Sequence, residues 1–429
     1  MIKSTFERLK RSALFKDSFW ALLGSAMGKG LSLLAGIAVA RFLGKEVYGE
    51  YGTIRTTLMY IAIVSTFGFG YTATKFVAEY ISTKSSKLQS LVRNTLTITL
   101  LFSTFLALLQ TVFADIISQI IDAPHLKGYL QSFSILIVLN ALSTTQIAVL
   151  SGFKRFKETA RINIYSGVTT FVASVVMTYQ WGLGGALGAL ALSFAFQITL
   201  NQRVIKTVLS KYSGNRTVSP AERNSMLKFS IPIALQDSSF TIVHTLSLLI
   251  LIRLSNYGEV GLSSAAGMWL SVVIFVPAML KNVMFSYLSS AENHIRLVHK
   301  LLIINFISSV TPVSIVLCCS GFISSFYGTS FIGLPKVLNV CVVSAIFISL
   351  SEVYCYEFIA QGKPWIVFFS RLMRDALILI MAYILLLKIH TDQAFWVSVI
   401  SLVTHGIFLI IIFLIYTFYW GRNISVQEK

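Results

Sequence analysis

Four stretches of this chain, Asn94–Ala114, Gly128–Phe153, Ile162–Gln202 and Gln393–Gly421, contain no Asp, Glu, Lys or Arg. A run of roughly 20 apolar residues is what a helix needs to cross the hydrocarbon of a bilayer. Inside that layer no water meets an open backbone group, so only helices and closed barrels span it. The stretches lack the period-2 alternation of barrel strands. The fold class that follows is all-α integral membrane.

Composition leaves little room for anything else. The chain has 429 residues, 55% of them hydrophobic, and a mean hydropathy of +0.76. A formal charge of +18 would point to nucleic acid in a soluble protein. Here the charges sit in short connections between spans, where they set topology, and a nucleic-acid partner is excluded. Cys318, Cys319, Cys341 and Cys355 all fall within spans and have no His at ligand spacing, so they read as packing residues with no metal or cofactor. Residues 1–17 are basic and place Ile2, Phe6, Leu9 and Ala13 on one helical face. That pattern predicts a cytoplasmic amphipathic segment on an anionic leaflet, followed by an uncleaved first span.

The hydropathy pattern predicts about twelve spans, the first at 18–40 and the last at 394–420. The run Ile162–Gln202 is cut in two at Trp181-Gly182-Leu183-Gly184-Gly185. With the N-terminus inside, most of the 35 Lys and Arg residues lie on inner connections, which puts both termini in the cytoplasm. Two halves resemble each other. Span one ends in Arg41-Phe42-Leu43-Gly44, then Tyr48-Gly49 and Tyr51-Gly52; span seven ends in Arg253-Leu254-Ser255-Asn256, then Gly258 and Gly261. Six spans per half give a parallel repeat of the kind found in transporters. The predicted organisation is an N-terminal six-helix bundle at 18–203, a basic cytoplasmic linker at 204–228, a C-terminal six-helix bundle at 229–420 and a tail at 421–429. The two bundles are expected to flank a central cavity.

The segment Arg41-Phe42-Leu43-Gly44 with Tyr48-Gly49 and Tyr51-Gly52 resembles the opening of Wzx-type polysaccharide flippases. Ser151-Gly152-Phe153-x-Arg155-Phe156 after span four and Phe229-Ser230-Ile231-Pro232 at the second half fit the same pattern. These flippases belong to the MATE-like multidrug/oligosaccharidyl-lipid/polysaccharide superfamily, and the resemblance extends over essentially the whole chain. It implies translocation of undecaprenyl-diphosphate-linked oligosaccharide from the cytoplasmic to the periplasmic leaflet of a bacterial inner membrane. It also implies O-antigen-type polysaccharide polymerase and chain-length proteins as partners. The loop Arg253–Gly261 departs from the first-half motif, since it lacks the paired Leu-Gly and Tyr-Gly.

Ionisable groups inside spans are expensive and mark function by default. Lys29 lies eleven residues into span one, roughly 16 Å deep at helical rise. Two readings stand: a cavity cation, or a Lys paired with Asp237 of span seven. Arg55, Arg41, Arg253 and Lys281 join it as candidate cations for an anionic substrate, although Arg41 and Arg253 also suit the interface. Asp237 and His244 are seven apart, hence on one helical face, and are candidates for a coupling ion. Glu352, Glu357, Arg371, Arg374 and Asp375 on spans ten and eleven read as structural ion pairs, Arg371 and Asp375 being i,i+4 neighbours. His405 reads as structural. Gly24-x-x-x-Gly28-Lys29 is one residue short of a phosphate-binding loop, so nucleotide is not expected.

A lipid diphosphate head cannot cross hydrocarbon unaided, because each desolvated charge costs several kcal/mol and each unpaired sugar hydroxyl adds to that. A carrier therefore needs a wet cationic path, with the tail left in lipid. Asn140, Gln146, Gln197 and Gln236 are candidates for meeting sugar hydroxyls. Two rivals remain. A cation-drug antiporter of the same superfamily would want an acid where Lys29 stands. A membrane polymerase or ligase would want a large outer loop, and the longest here is short.

Overall fold

The computed structural model describes residues 13–66, 68–83, 85–212, 217–289, 294–361 and 363–427. The amphipathic segment expected before residue 13 lies outside them. The helices are α1 (Ala13–Ser65), α2 (Phe69–Thr83), α3 (Leu88–Val112), α4 (Ala114–Ile120), α5 (Lys127–Ser132), α6 (Ile135–Gly152) and α7 (Phe156–Leu209). They continue as α8 (Pro220–Leu254), α9 (Tyr257–Ser289), α10 (His294–Tyr327), α11 (Leu334–Ala360), α12 (Pro364–Leu386) and α13 (Gln393–Gln427). The fold is all-α, with no strand among the described residues.

Two of these helices are pairs of spans. In α1 the backbone breaks at Gly44 (φ 73°, ψ 168°), and in α7 at Gly182 (φ 54°, ψ −130°). The second conformation lies where an L-residue's Cβ collides with backbone, so glycine is required. Just beyond, a Cβ on Gly185 would stand 1.9 Å from the Met177 carbonyl oxygen. One glycine thus turns the chain and another lets the two limbs close. By length and apolarity alone, eight described helices can cross a membrane; the breaks in α1 and α7 make each of those two cross twice. Helix α12 has the length, but Arg371, Arg374 and Asp375 dilute its apolar run.

The hydropathy pattern of the sequence places span two over 51–72, whereas the helix ends at Ser65 and, after Gly68 (φ 70°), restarts as α2. Helix α2 carries its apolar side toward α6. Thr74 Oγ1 donates to the Ala148 carbonyl at 3.0 Å, and a Cβ on Gly152 would meet Val77 at 2.7 Å. The stretch is amphipathic rather than apolar throughout, so hydropathy alone passes over it.

Contacts divide the chain into two units. The first comprises Met1–Leu43 and Glu50–Thr245, the second Gly44–Gly49 and Leu246–Lys429. The core of the first forms where Phe76 and Tyr80 of α2, Leu88 and Leu91 of α3, Val149 and Leu150 of α6 and Ile205 of α7 converge. In the second, α11 is central: Leu338, Val342, Ala345 and Val353 are wholly or almost wholly buried, and it packs on α9, α10, α12 and α13.

The start of α8 is tied into the first unit. Ser219-Pro220-Ala221-Glu222 forms a capping box: the Glu222 N–H donates to Ser219 Oγ, and the Ser219 N–H donates to Glu222 Oε2 at 2.9 Å. Lys87 then bonds both Glu222 oxygens, at 3.0 and 2.9 Å. Further along, Ser230, fully buried, meets Thr72 at 2.8 Å.

Within the second unit, the segment from Gly44 to Gly49 lies against the start of α9 through two reciprocal contacts. A Cβ on Gly49 would sit 1.9 Å from the Tyr257 carbonyl oxygen, and one on Gly261 would sit 2.0 Å from that of Lys45. Positions 45 and 257 differ by 212, as do 49 and 261. The internal repeat thus meets itself backbone to backbone. Tyr48, buried beside this contact, packs edge-on against Phe331 at 5.9 Å. No relaxation of a side chain can make room here, so Gly261→Val and Gly49→Val are each expected to prevent recovery of a monodisperse protein in detergent. Gly267→Ala, at a helical site with nothing within 4 Å, is expected to hold or raise the melting temperature by removing a flexible residue. Size-exclusion chromatography and thermal unfolding check both outcomes.

Candidate functional site

Helix α1 shows four faces at 100° per residue. Gly24, Gly28 and Leu31 lie on the first, against α7. A Cβ on Gly24 would meet Ala160 at 2.3 Å, one on Gly28 would touch Asn163 at 3.5 Å, and Gly167 packs on Leu31. Small residues four apart let two membrane helices approach this closely. Turned one way from that contact is an exposed apolar side, Met27 and Leu34, suited to lipid. Turned the other way are Ser25, Lys29 and Ser32, with Lys29 and Ser32 exposed. Leu33 and Ala40 bury the remaining face.

The polar face is what singles out Lys29. A surface meeting acyl chains carries branched and aromatic side chains, not two serines and an ammonium. The spacing of four and three places Ser25, Lys29 and Ser32 in one column, with water or a polar ligand as the neighbour that costs least. Arg55 is half-buried on the second limb of α1, in the same unit. Arg41, also in this unit, is exposed near the end of the first limb, and Arg253 of the second unit is exposed at the end of α8. The side chains of Lys281, Asp237, His244 and Gln236 lie outside the described residues.

Beside the polar face of α1 runs a neutral network that sequence reasoning did not assemble. Gln197 accepts from Ser143 at 2.7 Å and donates to Asn163 at 3.3 Å. Gln146 donates to Gln202 at 3.0 Å, and Thr99 meets Thr145 at 3.3 Å. Asn163, the residue that Gly28 leans on, thereby links α1 to both limbs of α7 and, through Gln197, to α6. Gln146 and Gln197, put forward as sugar contacts, are engaged with neighbouring helices. Asn163 went unnoticed because an isolated Asn in an apolar run carries no signal until its neighbours across the bundle are known.

The charged cluster lies in the second unit. Arg371 reaches Glu352 with one terminal nitrogen, Nη2, which donates to both carboxylate oxygens at 2.7 and 2.8 Å, a charge-assisted contact. The i,i+4 pairing expected between Arg371 and Asp375 is replaced. Asp375 bonds Arg374, at 2.7 Å, because Arg371 is drawn across to α11. Arg374 also lies over the Phe408 ring, 5.0 Å from its centroid. Glu357 is fully buried and accepts from Gln361, one turn on. His405 bonds the Ser401 carbonyl at 2.7 Å, within its own helix.

Comparison with known proteins accords with this geometry. The polysaccharide biosynthesis protein family matches residues 14–292, and the chain belongs to that family. Among curated proteins no sequence matches. Among solved structures, the chain is similar to an inward-facing multidrug resistance MATE family transporter of the MOP superfamily. The two are 14% identical with a TM-score of 0.74, over 95% of this chain and 99% of that one. It is similar also to a MATE protein in its straight conformation, at 15% identity and a TM-score of 0.66, over 98% of both chains. A third is a MOP superfamily transporter from Pyrococcus furiosus, described as having a binding pocket of reverse polarity that suggests a different function. It is 15% identical with a TM-score of 0.63, again over 98% of both chains. The fold is that of the MATE transporters, twelve helices in two halves. The chain is a multi-pass membrane protein of transporter fold.

The Arg371–Glu352 pair generates a test. Removing one partner strands a charge in a partly buried site, and Arg371→Met or Glu352→Gln is expected to destabilise by on the order of 2 kcal/mol. The double variant Arg371→Met with Glu352→Leu should recover much of the loss. Denaturant unfolding of the purified protein in detergent reads all three.

Proposed function

We propose that this protein is a flippase that moves undecaprenyl-diphosphate-linked oligosaccharide repeat units from the cytoplasmic to the periplasmic leaflet, by alternating access, for surface polysaccharide such as O-antigen. It acts in a bacterial inner membrane with both termini cytoplasmic, supplying a periplasmic polymerase and its chain-length partner. Family membership and transporter fold support the class of activity. The observation that carries the choice of cargo is Lys29, exposed on a face of α1 shared with Ser25 and Ser32. An ammonium on a polar column suits a diphosphate, while a cationic drug would be repelled. That a MOP superfamily relative is described by its reverse pocket polarity is consistent with one fold serving cargoes of different charge.

The mechanism needs little chemistry. No bond is made or broken; the head group exchanges its hydration for cationic and hydroxyl partners, while the polyprenyl chain stays in lipid throughout. Arg55 on the second limb of α1, Arg41, Arg253 and Lys281 are the further cations proposed to meet the head group. Asp237 and His244 on α8 are the proposed coupling pair for a proton or sodium ion. Asn163 and Gln197 act as positioning residues, holding α1 so that Lys29 keeps its aspect.

Proteoliposomes carrying a fluorescent polyprenyl-diphosphate glycan test the reading through the rate at which label leaves one leaflet. Lys29→Ala is expected to slow translocation at least tenfold with melting temperature unchanged, and Lys29→Arg to retain most of the rate. Equal rates for wild type and Lys29→Ala, or transport of a cationic dye in preference to the glycolipid, would defeat it.

A further inference from the structure

The outer surface of the second unit carries an apolar furrow of about 450 Å³. Leu302, Ile303 and Phe306 of α10 form one wall, Ile410 and Phe413 of α13 the other, and Tyr354 of α11 part of the floor. Ile303, Phe306, Ile410 and Phe413 are each 44–59% exposed, so the furrow opens outward. Its floor is stiff: the Tyr354 ring packs on Phe413 at 6.0 Å and on Tyr416 at 5.1 Å.

One end of this furrow is basic. Helix α10 brings Arg296, His299 and Lys300, all exposed, to the turns just before the apolar wall. His299 precedes Ile303 by four positions and Phe306 by seven, which places the three on one face. At 1.5 Å per residue the rise from His299 to Ile303 is about 6 Å, the distance from a lipid's phosphate region to its first methylenes. Lys363, at the junction of α11 and α12, caps Tyr419 of α13 at the same end of the bundle. The α10 lining runs from Leu302 to Phe306 and the α13 lining from Leu409 to Phe413, about 6 Å of helical rise on each, so the furrow takes the part of one chain nearest the head group.

We infer that this furrow is a binding site for an anionic glycerophospholipid, one acyl chain lying between α10 and α13 and the phosphate meeting Arg296, His299 and Lys300. Charge complementarity selects the head group, because a zwitterionic lipid would bring its own cation to a cationic end. The furrow calls only for one phosphate and the first stretch of one chain, which an ordinary anionic phospholipid supplies; undecaprenyl phosphate is the rival that the test separates. The inference does not depend on the proposed cargo, since the site lies wholly in the second unit and Lys29 belongs to the first.

The test uses the full chain purified in a neutral detergent and supplied with phosphatidylglycerol, phosphatidylcholine or undecaprenyl phosphate, with bound lipid counted by native mass spectrometry. Phosphatidylglycerol is expected to remain at about one per chain and to exceed phosphatidylcholine at least tenfold. Arg296→Gln with His299→Gln and Lys300→Gln should abolish that preference. Ile303→Trp, which fills the trough while leaving the charges, should displace the lipid. Equal retention of both phospholipids, an unchanged preference in the triple variant, or displacement of phosphatidylglycerol by undecaprenyl phosphate would overturn the assignment. A melting temperature equal to that of the parent shows that either variant is folded. Should either melt early, Lys300→Gln alone, expected to lower the preference severalfold, decides the matter, and no change in that variant overturns the assignment.

Discussion

An ammonium placed inside a membrane helix must be met by water or by an anion, and most of what is distinctive in the first unit follows from that requirement at Lys29. The helix that carries it has to present one side to a neighbour, one to lipid and one to something polar, so its residues are sorted into narrow columns. Gly24 and Gly28 bring α7 against one column, and this close contact leaves the adjacent column of Ser25, Lys29 and Ser32 turned out of the packing. Had bulky residues stood at 24 and 28, the axis of α1 would sit farther from α7. The register that turns Lys29 aside would then have nothing to hold it.

Both units contain ion pairs, the first in Lys87 with Glu222, but the first adds a neutral network: Gln197 between Ser143 and Asn163, and Gln146 with Gln202. Each such bond is worth about 1 kcal/mol net, and each leaves the local potential nearly unchanged. The second uses full charges: Arg371 with Glu352, and Arg374 with Asp375. Those pairs lock α11 to α12 and hold residue 375 to its own helix, at the expense of tolerance to substitution.

Much of the fold was legible because membrane helices advertise themselves by length. The break at Gly182 could be read from Trp181-Gly182-Leu183-Gly184-Gly185, since no single span accommodates Ile162–Gln202. The repeat was legible at the loops after spans one and seven, where Gly49 and Gly261 had to remain small for a reason visible only in three dimensions. Other features were hidden by their chemistry. Helix α2 is amphipathic and so falls below a hydropathy reading. The Asn163 network consists of residues whose sequence neighbours say nothing about their partners. The pairing of Asp375 with Arg374 instead of Arg371 depended on Glu352 reaching across from α11, a competition between two acids for one guanidinium that spacing on a single helix cannot decide.

The capping box at Ser219–Glu222 makes a further point about how the halves are joined. A basic linker between two bundles has every reason to be loose. Yet Ser219 and Glu222 close the first turn of α8, and Lys87 holds Glu222 by both oxygens. Thr72 and the buried Ser230 continue the attachment about three turns into the helix. Helix α8 therefore starts under the control of the first unit and ends, beyond Thr245, within the second. Helix α8 shares this with α1, whose residues Gly44–Gly49 belong to the second unit while both its limbs belong to the first. Asp237 and His244, the proposed coupling pair, lie on the stretch of α8 that belongs to the first unit.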